Sequence, residues 1–349
     1  MTKIHHLLLG ALLAGLVPLS AAPQHDLYIA GGISKNYVIG SKIVTTSGLF
    51  LRTPEGELKP LGYNDASIVA LAFDPRDSRV FYTGALNGVW RTFDGGASWR
   101  ITTGWDETEA RDVCVDPNAP DHVYAAITDG VITSHDRAQT WARLEKGLPA
   151  RGKYTQTVEV DRTKAGRVFA GCEVGIFLTE DGAQNWRCVF PTKRMVSDIQ
   201  QSPHDPKFWV ATTQENGALL SHDGGLTWQV AKGVPTEKTI YNVAFDPTNA
   251  KRIALGSWTY GVLVSEDGGA TWTARNDGLP GARAGWREGI DPGAHSVWRV
   301  GIDPDNGRLY ASVTEEALYT SDDFGRTWKK AGLEGSVISR FVWITRAAK

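Results

Sequence analysis

The chain has 349 residues, a formal net charge of −2 at neutral pH and 13 tryptophans. Its length allows one large domain or two of ordinary size, and with 42% hydrophobic residues it can bury a substantial core. A nearly neutral chain has no overall field that would attract nucleic acid or an anionic membrane surface, so we expect no nucleic-acid partner.

The first 22 residues have the pattern of a secretory signal peptide. Lys3 supplies a basic start, Leu7 to Leu19 form an apolar run, and Ser20 to Ala22 offer small residues for cleavage. The run is too short to span a bilayer comfortably, and no later stretch is apolar enough. We therefore expect an exported protein, periplasmic or extracellular, in which residues 23–349 form one domain without a transmembrane span. An uncleaved N-terminal anchor is the alternative.

The chain contains only three cysteines, Cys114, Cys172 and Cys188. This is too few for a disulfide framework, and we expect buried free thiols. There is no Cys-x-x-Cys pair and no cluster of cysteine and histidine, so we predict neither a metal site nor a cofactor.

Short strand-like segments separated by turn residues begin near residue 43. Residues 43–58 match the second and third strands of a four-stranded unit and end in a weak acidic turn. In the next unit an alternating strand ends in an acid–proline turn at Val69–Pro75, and further strands follow at Val80–Gly84 and Gly88–Thr92. Period-2 alternation, β-branched and aromatic residues, and Gly/Asp/Pro punctuation all predict β-strands.

The third strand leads into an eight-residue stretch, Thr-Phe-Asp-Gly-Gly-Ala-Ser-Trp at residues 92–99, that occurs six times. Each copy has an aspartate at its third position and a tryptophan at its eighth: Asp94 and Trp99, Asp136 and Trp141, Asp181 and Trp186, Asp223 and Trp228, Asp267 and Trp272, and Asp323 and Trp328. Successive tryptophans are 42, 45, 42, 44 and 56 residues apart. A period in the low forties is typical of a propeller blade of four short strands.

The repeated stretch is predicted to be a hairpin turn between the third and fourth strands of a blade. Its aspartate can accept hydrogen bonds from backbone N–H groups, its glycines permit a positive φ, and its tryptophan can pack between neighbouring sheets. A calcium loop would need several oxygen ligands at each site, whereas each copy offers one dependable carboxylate. We therefore assign these residues a structural role.

An alternating strand at residues 336–345 remains after the last copy. Joined to the strands of residues 43–58, it would complete a further blade and leave no free sheet edge. The sequence thus predicts an all-β, seven-bladed β-propeller of four-stranded antiparallel blades, closed by its N- and C-terminal strands. Six blades, with residues 27–60 as a decoration, is the alternative.

The pattern Ser/Thr-x-Asp-x-Gly-x-Thr-Trp resembles the Asp-box, or bacterial-neuraminidase repeat. Together with the acid–proline strand it covers nearly all of residues 43–345. The chain is therefore similar to the superfamily that includes sialidases, xyloglucanase-type glycoside hydrolases, sortilin ectodomains and photosystem II assembly-factor propellers. The repeat is specific for the fold and nearly silent on function.

Two enzymatic activities are implied by the resemblance. Sialidases use three arginines, one of them in an Arg-Ile-Pro stretch near the first strand, and that stretch is absent; Arg52 is the nearest arginine. Xyloglucanase-type enzymes use two carboxylates, one from each of two facing propellers, and this chain has length for one propeller. Asp112 and Asp198 fall at equivalent places in their strands and form the candidate pair, with Glu109 or Glu288 as further acids.

Cationic and aromatic residues recur in the loops that precede each first strand. We expect a ligand-binding rim formed by Trp105, Arg111, Lys153, Tyr154, Arg194, Lys238, Tyr241, Trp286, Arg287, His295, Trp298, Arg299 and Arg340. Guanidinium groups and aromatic planes suit carboxylates, peptide termini or sugars. The alternative is a solvated rim whose charges face water or pair with Glu107, Glu109 and Asp112. The loop at 281–299 is unusually long and is the strongest candidate for a specialised function.

The leading hypothesis from sequence is an exported, non-catalytic and monomeric propeller that binds a protein segment or a glycan on its loop-rich face. A glycoside hydrolase of xyloglucanase or sialidase-like type is the alternative. A purely structural subunit of an envelope complex is a third possibility.

Overall fold

The computed structural model describes residues 24–32, 47–53, 55–62, 67–281 and 295–346. Within these ranges the chain forms β-strands and no helix. The predicted signal peptide, residues 1–22, lies outside them. No helix that could span a lipid bilayer is found among the described residues.

The strands are short, and most have five or six residues. In the first half of the chain they are β1 (His25–Gly32), β2 (Ser47–Arg52), β3 (Leu58–Pro60), β4 (Ala70–Asp74), β5 (Asp77–Ala85), β6 (Gly88–Thr92), β7 (Arg100–Ile101), β8 (Asp112–Val115), β9 (Val123–Ile127), β10 (Gly130–Ser134), β11 (Thr155–Val160), β12 (Val168–Cys172), β13 (Gly175–Thr179) and β14 (Trp186–Pro191). In the second half they are β15 (Val196–Gln201), β16 (Trp209–Thr213), β17 (Ala218–Ser221), β18 (Gln229–Val230), β19 (Ile240–Phe245), β20 (Ile253–Ser257), β21 (Val262–Ser265), β22 (Thr273–Ala274), β23 (Val297–Ile302), β24 (Leu309–Val313), β25 (Ala317–Ser321), β26 (Lys329–Lys330) and β27 (Val337–Thr345).

These strands form seven separate antiparallel sheets. Six of them follow the chain without a crossover: β4–β7, β8–β10, β11–β14, β15–β18, β19–β22 and β23–β26. In the three-stranded sheet a single bridge between Thr133 and Ala142 stands where the fourth strand would be. The seventh sheet has the order β27-β1-β2-β3 and so combines both parts of the chain.

The two ends of the described chain close the ring. β27 pairs with β1 along its length, and the first strand of each sheet contacts the first strands of its two neighbours, β27 contacting both β23 and β4. This confirms the prediction of seven blades, and the six-bladed alternative is wrong. The predicted make-up of the closing blade needs one correction. Its second strand is β1, upstream of residues 43–58, and β2 and β3 are its third and fourth strands.

The hydrophobic core is divided into clusters that lie between neighbouring blades. In one cluster Phe169 of β12 packs against Trp209 of β16, with ring centroids 4.5 Å apart, and against Trp228 at 6.3 Å. Each blade buries its faces against two others, so an individual blade has no core of its own. Ring closure is therefore needed to cover the faces of the first and last blades.

The repeated aspartate is the hydrogen-bond centre of its turn. In the first copy Thr92 Oγ1 donates to Asp94 Oδ1 at 2.7 Å and accepts from the backbone of Gly96 at 2.9 Å. Ser98 donates to Asp94 through its backbone N–H and its hydroxyl, at 2.9 and 2.6 Å. The other five copies form the same network, and in the third the amide of Asn185 replaces the hydroxyl.

Three of the six box tryptophans donate a hydrogen bond to a backbone carbonyl of the preceding blade. Trp99 Nε1 donates to the carbonyl of Leu61, which belongs to the preceding blade, at 2.9 Å. Trp186 reaches the carbonyl of Leu144 in the same way, and Trp328 reaches that of Arg275. The box is thus both a turn within a blade and a contact between blades.

We expect the box aspartates to make folding sensitive to acid. Hydrogen bonds from Ser98 lower the pKa of Asp94 to about 2, and those from Thr271 lower the pKa of Asp267 to about 2. A pKa lower in the folded than in the unfolded chain contributes stability above the unfolded value of about 3.9, and that stability is lost as pH falls towards 2. Denaturant titrations between pH 6 and 2 should show this loss, with a shallower profile for Asp94→Asn/Asp267→Asn. Equal slopes for the two proteins would contradict it.

The three cysteines do not all behave as predicted. Cys114 and Cys172 are buried free thiols as expected, whereas Cys188 is exposed on β14, the outermost strand of its blade. β14 is an edge strand with little cover from other strands, and Arg187 and Cys188 are both exposed on it.

Candidate functional site

A tier of residues surrounds the central channel near the start of each innermost strand. Each of these strands has a bulge, seen as a register shift in β11, β15, β19, β23 and β27. In the first two blades the same irregularity is made by Val69 and Arg111, whose N–H groups bond the carbonyls of Gly84 and Ala126. The residues that follow the bulges form what we call the bulge tier: Ala70, Asp112, Thr157, Asp198, Asn242, Arg299 and Arg340.

Asp112 is committed to contacts with other blades. It is 3% exposed, and its Oδ2 accepts from Thr157 Oγ1 at 2.9 Å and from the backbone of Val158 at 3.3 Å. Its Oδ1 accepts from Arg340 at 2.9 Å. Arg340 lies two blades away and passes Ala70, whose small side chain leaves room for it. Burial raises the pKa of Asp112, while Arg340 acts in the opposite direction.

Asp198 and Asn242 make equivalent contacts, each with the innermost strand of the next blade. Asp198 is 2% exposed, and its Oδ2 accepts from the backbone of Val243 at 3.1 Å. Asn242 exchanges two hydrogen bonds of 3.0 Å with the backbone of Val300. The bulge tier therefore joins each innermost strand to the next at these places.

These contacts bear directly on the proposed pair of catalytic carboxylates. A general acid or base needs a carboxylate that can reach substrate and exchange a proton with it. Asp112 is held by an ion pair and two further hydrogen bonds from the next blade, and Asp198 is buried against backbone. Both carboxylates thus have structural roles in the ring, although Asp198 also lines the channel.

The cations of the predicted rim divide into paired and unpaired groups. Lys153 contacts Glu145 at 2.6 Å and Arg194 contacts Glu215 at 2.7 Å, acids that the sequence did not indicate, whereas Arg340 pairs with Asp112, which it did indicate. Lys238 is exposed and has no ion pair with any described residue. The guanidinium of Arg111 lies 6.0 Å from the ring centroid of Tyr154, and its Nε is buried without a hydrogen-bond partner among described residues.

The aromatic residues of the rim form a cluster that the sequence predicted only in part. The ring of Tyr241 lies 4.4 Å from that of Trp298 and 5.9 Å from that of Trp258, which was not among the predicted rim residues. All three are half-buried. Trp258 follows the second strand of its blade, whereas the prediction was confined to loops that precede first strands. The sequence signal for Trp258 was its place in the turn between the second and third strands. That turn lies on the same face as the loops that precede first strands.

The remaining predicted rim residues have different surroundings. Trp105 is 99% exposed on a loop between blades. His295 holds the end of the long loop, since its ring contacts the carbonyl of Pro280 at 2.9 Å and its backbone bonds Thr259 and Gly261. Trp286 and Arg287 lie outside the described residues.

A cavity of about 620 Å³ occupies the channel between the bulge tier and the acid–proline turns. The tier contributes Asp198, Asn242, Arg299 and Arg340 to its lining, and the far mouth is formed by turn residues such as Pro75 and Pro247. The prediction from sequence placed the ligand at the opposite face, where loops precede the first strands. This channel cavity therefore opens on the Asp-box side of the bulge tier.

Two charged groups in this cavity lack a partner among the described residues. Arg299 has no ion pair there, and its Nε is buried without an acceptor. Burial and the nearby charge of Arg340 lower the pKa of Arg299 to about 10. Glu159 accepts no hydrogen bond from a described residue, and burial raises its pKa to about 8. The described residues contain no group of three potential metal-ligating side chains.

Comparisons with known proteins agree with this architecture. A family model for the BNR/Asp-box repeat matches residues 319–330. An oligoxyloglucan-reducing end-specific xyloglucanase of Emericella nidulans is 29% identical over 145 residues, which are 36% of this chain and 18% of that protein. The GH74 enzyme of Niastella koreensis superposes with a TM-score of 0.67 at 17% identity, covering 87% of this chain and 52% of that one. YCF48 bound to a D1 peptide superposes with a TM-score of 0.55 at 17% identity, covering 76% and 81%.

The chain is a seven-bladed Asp-box propeller. It spans about half the length of the GH74 enzyme and less than a fifth of the xyloglucanase. At these identities the structural likeness concerns the fold. Structures with this fold thus include both GH74 enzymes and YCF48 bound to a D1 peptide, and the function of this chain depends on its own site residues.

Glu159 of this Asp-box propeller was not among the site residues predicted from sequence. It is the fifth residue of β11, two positions after the bulge-tier residue Thr157, so period-2 alternation places both on the channel side. An acid at a channel-facing position of an innermost strand was the available signal. Only the closed ring shows that six other strands contribute much less charge at this depth.

Proposed function

We propose that this Asp-box propeller is an exported, non-catalytic binding protein whose loop-rich face holds an acidic protein segment. The observation that carries the proposal is the pairing of an available cation with aromatic surface on that face. Arg111 is stacked near Tyr154 and has no acidic partner among described residues. Tyr241, Trp258 and Trp298 provide a half-buried aromatic cluster on the same face.

The chemistry of these groups favours an acidic ligand. Guanidinium groups bind carboxylates through charge-assisted hydrogen bonds, and aromatic residues with arginine are the usual anchors of protein interfaces. A neutral glycan would use the aromatic surface and leave Arg111 and Lys238 without a partner. A protein segment with both an acidic and an apolar or aromatic side chain would use both features.

The engagement of Asp112 and Asp198 supports a non-catalytic role. Asp112 is held in an ion pair with Arg340, and the carboxylate of Asp198 accepts from Val243. The likeness to YCF48 bound to a D1 peptide supplies a precedent for peptide binding by this fold. A role in photosynthesis does not follow from that likeness.

We expect peptides that contain an acidic and an aromatic residue to bind more tightly than peptides with the acid replaced by its amide. Arg111→Gln should weaken acidic peptides about tenfold, equivalent to about 1.4 kcal/mol, because it removes an unpaired cation. Tyr241→Ala should weaken acidic and amide peptides alike. Fluorescence anisotropy with a labelled peptide array measures both effects.

The matched control is Arg194→Gln, whose cation is already paired with Glu215 and is exposed. It should change affinity by less than Arg111→Gln does. Equal affinity for acidic and amide peptides, or an unchanged affinity in Arg111→Gln, would overturn the proposal. Purified protein of the expected mass in the periplasm or medium would support export, and retention in the cytoplasm would count against it.

A glycoside hydrolase is the second candidate, favoured by the likeness to GH74 enzymes. It would use Asp112 and Asp198 as general acid and base on a β-glucan chain. Release of reducing sugar from xyloglucan oligosaccharides, abolished in Asp198→Asn, would support this candidate and displace the first. Glycan binding without hydrolysis would displace both the acidic segment and the hydrolase.

A further inference from the structure

The channel cavity has an acidic position one tier below the bulge tier. Residues two places beyond the bulge tier form this second tier, and all of them line the cavity: Ala72, Cys114, Glu159, Gln200, Ala244, Gly301 and Val342. Three of the seven are alanine or glycine, and Glu159 is the only charged member. Glu159 is flanked in this tier by Cys114 and Gln200, and the small residues Ala72, Ala244 and Gly301 lie on strands that are not its neighbours, so the cavity in front of it stays open.

The unpartnered cation of the cavity lies on the other side of the channel. Arg299 belongs to β23, three blades away from β11, which is the greatest separation possible in a ring of seven. It is also one tier higher, a step of two residues or about 7 Å along a strand. Arg299 and Glu159 thus lie on opposite sides of the channel; Arg299 Nε has no hydrogen-bond acceptor among the described residues, and Glu159 forms no ion pair with them, its strongest compensating charge being Arg162.

An occupant that carries both an anionic and a cationic group would compensate Arg299 and the ionised form of Glu159 together. An unpaired buried charge is costly, and a ligand group of the opposite charge removes that cost. A cavity of about 620 Å³ accommodates a small molecule. A ligand with only an anionic group would leave the ionised Glu159 without a partner. A ligand with only a cationic group would leave Arg299 without one.

We propose that the channel cavity binds a small zwitterion, with its carboxylate on Arg299 and its ammonium group on Glu159. The two groups of such a ligand must be separated by several bonds, as in a six-carbon ω-amino acid or the side chain and carboxylate of a lysine. An α-amino acid with a short side chain is too small to reach both residues. The site is separate from the loop-rich face and does not depend on the function proposed there.

We expect 6-aminohexanoate to bind about tenfold more tightly at pH 8 than hexanoate or hexylamine, because only it reaches both charges. Glu159→Gln should reduce its affinity to that of hexanoate, and Arg299→Met should remove binding of both carboxylates. Isothermal titration calorimetry on the full chain gives these constants. Glu180→Gln, an exposed acid on the outer part of a blade, is the matched control and should change none of them.

The pH dependence offers a second readout with opposite signs for two probes. The charged groups that influence Glu159 are Arg162, Asp112, Asp198 and Arg340, and Cys114 lies in the same tier. With the pKa of Glu159 at about 8, it ionises as pH rises from 7 to 9. Affinity for 6-aminohexanoate should increase over this range, while hexanoate, repelled by the new charge, should bind more weakly. Glu159→Gln should abolish both trends.

Equal affinities of the wild-type protein for 6-aminohexanoate and hexanoate would overturn this proposal. So would a Glu159→Gln variant that folds and retains the wild-type difference between the two ligands. Because the comparison of probes is made on the wild-type protein, the test does not depend on any variant folding. Either failure leaves the binding of acidic peptides at the loop-rich face unaffected.

Discussion

Arg340→Met is expected to lower the free energy of unfolding by about 3–5 kcal/mol at pH 8, the usual loss when one partner of a buried ion pair is removed. The substitution leaves the Asp112 carboxylate buried without its cation, since that side chain is 4% exposed and that of Arg340 18%. Methionine retains the length and apolar volume of the arginine stem, so packing past Ala70 is preserved. Chemical denaturation at equilibrium measures the loss.

The same variant should be less destabilised in acid. Burial already raises the pKa of Asp112, and removal of Arg340 raises it further. A carboxyl whose folded pKa lies above its unfolded value stabilises the protein at pH values below the unfolded pKa, and this contribution is lost as pH rises. The difference between wild type and Arg340→Met should therefore shrink between pH 8 and 5.

Arg194→Met is the control for Arg340→Met. Its ion pair with Glu215 has a similar length, 2.7 Å, but the two side chains are 55% and 46% exposed. An exposed pair contributes about 0–1 kcal/mol, so this variant should be nearly as stable as the wild type. Equal losses in the two variants, without dependence on pH, would show that the bulge-tier ion pair is not a buried structural contact.

Gly225→Ala is expected to lower the free energy of unfolding by about 2–4 kcal/mol, combining a positive φ with overpacking. Gly225 has φ +79°, and a Cβ at this position would lie 2.3 Å from the ring of Phe169 in the preceding blade. The ring is itself packed against Trp209 and Trp228, so it has little freedom to move. Thermal and denaturant unfolding would both report the loss.

Gly268→Ala separates the two contributions. Gly268 also lies in an Asp-box and has φ +77°, but a Cβ added there would have no atom of the described residues within 4 Å. Its alanine variant should lose only the conformational part, about 1–2 kcal/mol. Replacing Phe169 by leucine in the Gly225→Ala background should recover part of the larger loss. If the two glycine variants are equally stable, the contact with Phe169 has no energetic consequence.

The Asp-box shows why much of the fold could be predicted from the chain alone. The network around Asp94 joins residues no more than four positions from it, and the same short pattern recurs in every copy. Alternation within a strand is equally local. Blade number and strand order followed from counting these local signals, whereas β1 was not predicted because the first strand of its blade, β27, lies at the other end of the chain.

The loop-rich face was predicted less completely. The sequence indicated that cations and aromatic residues gather there, and Tyr241 and Trp298 do lie in contact. It could not indicate that Lys153 and Arg194 would be paired with Glu145 and Glu215, or that Trp258 would join the cluster. Loop conformation and the meeting of different blades decide these contacts.

Sequence alone determined the repeat and the turn that builds each blade, because both depend on interactions between residues close in the chain. Counting these repeats also indicated that the two ends of the chain complete one ring. Tertiary structure decided which charges are neutralised. Arg340 and Asp112 are 228 positions apart and meet only across the closed ring. Glu159 and Arg299 become opposite walls of one cavity for the same reason, since seven separate strands contribute one residue each to every tier.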